Sequence, residues 1–149
     1  MKSLFDQNTY IEIKERIGSL EETSKGLWGK MNVAQMCAHC QGALEIPLEH
    51  RTLKKPNPLK KLLFKTFKAS MYNDKPWKKN LPTVKNFVVS NSRDFSQEKQ
   101  KLLGLVDEFH SHRGRREWKE HPMFGRFTEE QMGKVQYKHL DHHLKQFGT

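Results

Sequence analysis

The stretch that most limits what this chain can fold into lies near its end, Thr128–Phe147, TEEQMGKVQYKHLDHHLKQF. Thr128 and Gln131 stand at capping-box spacing, where two side chains satisfy backbone N–H groups at a helix start. Met132, Val135, Gln136, His139, Leu140, His143, Leu144 and Phe147 then recur at helical period. An amphipathic helix of this kind must bury its apolar stripe against other helices. His139 and His143 are one turn apart, so both imidazoles stack on that inward stripe. Two imidazoles can chelate one metal ion but do not complete a site, because zinc-like ions usually take three or more protein ligands.

The chain has 149 residues, which predicts a single domain, 1–149, with a real core. No apolar run is long enough for a transmembrane helix. The opening residues, MKSLFDQNTY, lack the apolar centre of a signal peptide. Two cysteines make no disulfide framework, and a cytoplasmic location is expected. The formal charge is +10, from 27 Lys+Arg and 17 Asp+Glu. That excess is local: residues 51–90 hold eleven basic residues and one acid, Asp74, leaving 16 of each sign elsewhere.

Asn8 or Thr9 can cap a first helix through about Leu20. Glu21–Met31 reads as a loop. Asn32 caps a second helix, Val33–Leu44, whose inward stripe is Val33, Met36, Cys37, Cys40 and Leu44. His39 sits at the edge of that stripe, about 60° from Met36. Residues 48–95 form an irregular insert. Asn57-Pro58 starts a helix there, with Leu59, Leu62, Leu63 and Phe67 on one side and lysines on the other. Val84–Ser90 is expected to be a short extended piece. Ser96 caps a helix to about His112, and the final helix follows. The fold class predicted is all-α: four main helices in a bundle, with an extra helix in the insert between the second and third.

His39 is the only histidine read on an inward helix face outside the last helix, which makes His39, His139 and His143 the candidate metal ligands. Three histidines leave a coordination position open for water or substrate. His142, three residues from His139, competes with His143 for the role. The sequence His139-Leu140-Asp141-His142-His143 is not H-E-x-x-H, which argues against a zinc protease. Cys37-Ala38-His39-Cys40 is a C-x-x-C, but both thiols fall in the apolar stripe and core packing is the favoured reading. The basic patch, Lys60, Lys61, Lys65, Lys68, Lys78 and Lys79, lies among aromatic residues. It reads first as a solvated face. Docking on nucleic acid or an anionic membrane surface is the other reading.

Three segments carry a family resemblance: Trp28-Gly29-Lys30-Met31-Asn32-Val33-Ala34-Gln35-Met36-Cys37-Ala38-His39, His121-Pro122-Met123-Phe124-Gly125, and Tyr137–Gly148. Together they resemble the DUF1569 family, which is itself similar to the DinB/YfiT superfamily of metal-binding four-helix bundles. The basic insert matches poorly. The resemblance implies a DinB-like bundle with a divalent ion, zinc or nickel, on His39, His139 and His143. It also implies activities such as thiol-dependent S-transfer.

The reading is therefore a metal-dependent enzyme acting on a small molecule. The chemistry expected is thiol transfer from a low-molecular-weight thiol, with metal-assisted hydrolysis second. Gln35, His142 and Gln146 are candidates to support the ligands or line the pocket; the residues are not assigned catalytic roles. The alternative is a non-catalytic module whose basic insert docks on nucleic acid or an anionic surface. Bundles of this size often form homodimers, and no residue decides that point.

Overall fold

The computed structural model describes residues 1–54 and 56–149, and Lys60 by its backbone alone. Five α-helices account for the regular structure: α1 Gln7–Gly18, α2 Val33–Glu45, α3 Pro58–Phe67, α4 Phe95–Ser111 and α5 Glu129–Gln146. Two single 3₁₀ turns, Lys68–Met71 and Lys85–Phe87, lie between α3 and α4. Among the described residues there is no strand, only an isolated bridge between His121 and Gly125.

Helix starts follow local side-chain chemistry. Asn32 and Gln35 form a reciprocal capping box on α2, at 2.8 and 3.1 Å. Thr128 and Gln131 do the same on α5. Two expected caps move. Asp6, not Asn8 or Thr9, stands at the α1 N-cap; it makes no side-chain cap bond, and its carboxylate accepts from Ser3 N–H instead. Thr9 is buried one turn in, and the helix ends at Gly18 rather than Leu20. Asp94, not Ser96, caps α4 by accepting from Gln97 N–H at 2.8 Å. A carboxylate there also faces the positive end of the helix dipole, which a serine hydroxyl exploits less.

α1, α2, α4 and α5 build one core, and α2 packs most extensively on α4. Ile13 and Ile17 meet Met36, Cys37, Cys40 and Leu44 of α2, Leu102, Val106 and Phe109 of α4, and Leu140 and Leu144 of α5. Each such aliphatic or aromatic side chain contributes about 1.5–3 kcal/mol when fully buried. Phe109, Phe5 and Trp118 form a three-ring cluster, with Phe109 4.7 Å from Phe5 and 5.5 Å from Trp118, and those two 5.8 Å apart.

α3 stands apart from that core and packs on the following 3₁₀ turn. The insert is tied to α5 by Lys138, a buried lysine whose ammonium donates to Ser70 O, Asn73 O and Asn73 Oδ1, each at 2.8 Å. Trp77 Nε1 donates to the same Ser70 carbonyl. Val84–Ser90 is extended only in part: Val84 and Val88 have extended dihedrals, and Lys85–Phe87 between them is a 3₁₀ turn. With no neighbouring strand to pair with, its backbone closes on itself through Phe87 N–H to Val84 O and Val88 N–H to Lys85 O.

Among the described residues, no helix is long and apolar enough to cross a membrane.

Candidate metal centre

α2 and α5 lie side by side and bring three imidazoles together. His39 comes from the middle of α2; His139 and His143 come from successive turns of α5. One ring nitrogen from each lies within 4.8 Å of the other two. Nε2 of His39 and Nε2 of His139 are 3.2 Å apart. His39 and His143 are buried, and His139 is partly exposed with its Nδ1 sealed from solvent.

The outer nitrogens decide which atoms are free. His39 Nδ1 lies 2.9 Å from the Phe87 carbonyl oxygen, which can only accept, so Nδ1 carries the proton. The 3₁₀ turn at Lys85–Phe87 thus sets the tautomer of a histidine on another element. His143 Nδ1 lies 2.9 Å from Gln146 Oε1. The amide of Gln146 is oriented by its other end, whose Nε2 donates to Trp28 O at 2.6 Å. Nδ1 of His143 is therefore also a donor. In both neutral rings Nε2 is left as a bare lone pair.

Burial holds the cluster neutral. It lowers the pKa of His39, against the opposing hydrogen bond to Phe87. It pushes His143 down to about 3, with the neighbouring His39 adding to the effect. His139 falls well below the usual range, first by burial and then through His143, His39 and His142. Neutral imidazole is the form that binds metals.

A proton count exposes the mismatch in this cluster. His139 has one N–H. Shared with Nε2 of His39 it satisfies that pair, and none remains for Nε2 of His143. His139 Nδ1 has no partner in either case. One cation would satisfy all three facing lone pairs. Two nitrogens on one tetrahedral ion at about 2.0–2.1 Å are about 3.3–3.4 Å apart, close to the His39–His139 separation. The outer limit of 4.8 Å is wider than this, so an ion held by all three would need the third nitrogen to stand closer. By donor type, spacing and tautomer the three residues could hold a metal ion.

The other residues singled out fall in three groups. Gln146 supports His143 directly, and His142 packs edge-on to His143 at 5.1 Å while facing a neighbouring cleft. Gln35 is committed elsewhere, to the α2 cap and to Asn91 O. Asp141 is held by Arg16 at 2.9 Å and Lys145 at 2.8 Å, away from the triad. Cys37 and Cys40 are free and buried. Burial pushes the Cys37 thiol up to about 12 and Cys40 well above its ordinary value, so neither supplies a thiolate.

In the basic patch Lys61 pairs with Glu120, and Lys68 donates to Arg126 O over the Phe127 ring. Lys65, Lys78 and Lys79 are exposed, and the Lys60 side chain lies outside the described residues.

One reading is corrected. His39 is not the sole inward histidine outside the last helix, for His110 of α4 is also buried. Its Nδ1 faces Leu4 O at 2.9 Å and its Nε2 faces Gln7 Oε1 at 3.2 Å. That ring ties the N-terminal segment to α4 and is not part of the cluster. The Phe87 carbonyl has no signature in the sequence, and Trp77, which stands 6.1 Å from the His139 ring, is legible there only as an aromatic residue among the lysines of the insert. The single available signal was the aromatic content of the insert.

A family model described as Protein of unknown function (DUF1569) matches residues 6–149. The chain belongs to the DUF1569 family. No curated protein and no solved structure matches it. The match spans all five helices of this DUF1569 protein, the basic insert included.

Proposed function

We propose that this DUF1569 protein is a metal-dependent enzyme of DinB-like fold, a single cytoplasmic domain in which His39, His139 and His143 hold one divalent ion. The observation that supports it most directly is the tautomer lock. Two of the three histidines have Nδ1 tied to an acceptor, which leaves Nε2 bare toward the third. Anchoring of a ligand's outer nitrogen is the usual companion of histidine metal sites. The shared core of α1, α2, α4 and α5 supports a four-helix bundle with α3 as an addition. When bound, the ion supplies a Lewis acid that makes a nucleophile of water or a small thiol near neutral pH. Phe87 O and Gln146 hold the rings, and burial keeps them unprotonated. Thiol transfer to an electrophile is the favoured reaction and hydrolysis the second.

Calorimetric titration of zinc and of nickel into metal-stripped protein tests the site. Wild type is expected to take up the ion, and His139→Ala to lose it while its far-ultraviolet circular dichroism stays helical. Equal affinity in the variant contradicts the ligand assignment.

A second reading has its own observation. Leu59, Leu62, Leu63 and Phe67 of α3 are 78, 63, 57 and 55 % exposed, on a helix that also carries Lys60, Lys61 and Lys65. Aliphatic side chains beside lysines suit the interface of an anionic bilayer better than the stacking that nucleic acid requires. Co-sedimentation with phosphatidylserine vesicles, lost on Leu62→Asp and weakened by salt, is the expected result. Retention of the variant on vesicles contradicts it.

A further inference from the structure

A cleft of about 190 Å³ lies against the outer side of α5, lined by Trp28, Trp77, Lys79, Lys138, Asp141, His142 and Lys145 among others. It adjoins the histidine cluster. Trp77 is 6.1 Å from the His139 ring and 5.7 Å from His142, and His142 is 5.1 Å from His143. Trp28 meets His142 from another side at 5.8 Å. The walls are thus two indoles and an imidazole, surfaces suited to a planar ring.

Charge decides which ring. Aromatic walls alone also suit cations. Among the described residues the one acid lining the cleft, Asp141, is already neutralised by Arg16 and Lys145. Lys138 has three acceptors of its own. Lys79 has no ion pair among the described residues; its ammonium rests 4.7 Å from the Trp28 ring centroid. A cation would meet Lys79, which no carboxylate among the described residues balances, and Lys145, which shares Asp141 with Arg16 and keeps further N–H groups to donate. An anion would gain two charge-assisted hydrogen-bond donors. The volume is below the roughly 300 Å³ at which drug-sized ligand sites begin, so the ligand is small.

We infer that this cleft binds a small aromatic carboxylate, its ring against Trp28 and Trp77 and its carboxylate at Lys79 and Lys145. As the substrate class of the neighbouring triad, this rests on the metal reading above. As a binding cleft it does not.

The test is calorimetry of the wild-type protein, as purified, with benzoate, its neutral amide benzamide, and benzylammonium, with metal content measured on each sample. Benzoate is expected to bind about tenfold or more tighter than benzamide, the equivalent of one charge-assisted contact. Benzylammonium is expected to bind weakest. The double variant Lys79→Gln/Lys145→Gln should erase the preference for benzoate over benzamide. Trp77→Leu should weaken both, and neither variant should change metal content. Absence of benzoate binding overturns the assignment, as does undiminished binding in the lysine double variant or tighter binding of benzylammonium. Metal present without benzoate binding sinks the cleft and leaves the triad. Benzoate binding that depends on Lys79 and Trp77 in a protein that takes up no metal sinks the triad and leaves the cleft.

Discussion

Nδ1 of His143 and Oε1 of Gln146 are 2.9 Å apart, one turn from each other on α5. The bond fixes the proton on the outer face of the imidazole and the lone pair on the inner one. Gln146→Leu keeps the bulk and removes the acceptor. Metal affinity should fall about 10–100-fold, the usual effect of losing such a supporting bond, with little change in helix content. Competition against a chromogenic chelator measures it; unchanged affinity would show that the bond is incidental.

Gly29 acts on the same glutamine. It has φ +83, and a Cβ placed there would stand 2.5 Å from Gln146 Nε2. Gly29→Ala should displace Gln146 from Trp28 O and loosen His143. It should weaken metal binding in the same direction as Gln146→Leu and cost about 1 kcal/mol or more of stability from the left-handed backbone alone. Thermal denaturation and chelator competition on one preparation separate the two effects.

Lys138 is the tether of the insert. Burial lowers its pKa, yet three carbonyl oxygens at 2.8 Å surround the ammonium. Lys138→Met takes one donor from each; Ser70 O keeps Trp77 Nε1 and Asn73 Oδ1 keeps Lys75 N–H, so the main loss is at Asn73 O, at a cost of roughly 1–3 kcal/mol. Hydrogen exchange should speed up across Lys68–Trp77 before it does so in α2 or α4. Uniform exchange would mean that the insert is held by other contacts.

Acid stability has a defined sign. Burial lowers His121 to about 4, and its Nδ1 accepts from the backbone N–H of Met123 and Phe124. A depressed histidine binds its proton more readily unfolded than folded. It therefore costs nothing above about pH 6.5, and stability is lost as pH falls from there toward 4. His121→Asn retains an acceptor and cannot titrate. It should flatten part of that limb, roughly 1–3 kcal/mol between pH 7 and 4 in urea titrations. The triad histidines and His142 act in the same direction, and toward pH 4 so do the carboxylates that partners hold low, Glu49, Asp74, Asp107 and Glu130.

α5 was readable end to end because its capping pair and its apolar period agree, and that agreement placed His139 and His143 on the buried side. α2 was readable for the same reason and carried His39. What could not be read were groups without a side-chain signature. The acceptor for His39 is a backbone carbonyl in a 3₁₀ turn 48 positions away. Val84–Ser90 has strand-like residues; Val84 and Val88 keep extended dihedrals, and with no strand to pair with Lys85–Phe87 closes into a turn. His110 is polar and next to Phe109, so its burial depends on Leu4 O and Gln7 arriving from the other end of the chain. Trp77 sat among lysines and read as part of a charged surface until α5 brought His139 and His142 beside it.

The most direct measurement is elemental analysis of the untagged protein beside His39→Ala and His139→Ala. The account predicts about one divalent ion per chain in the wild type and loss in both variants, since two remaining imidazoles do not hold a zinc-like ion. A wild-type protein that carries no ion and accepts neither zinc nor nickel on reloading would contradict it, as would full retention in either variant.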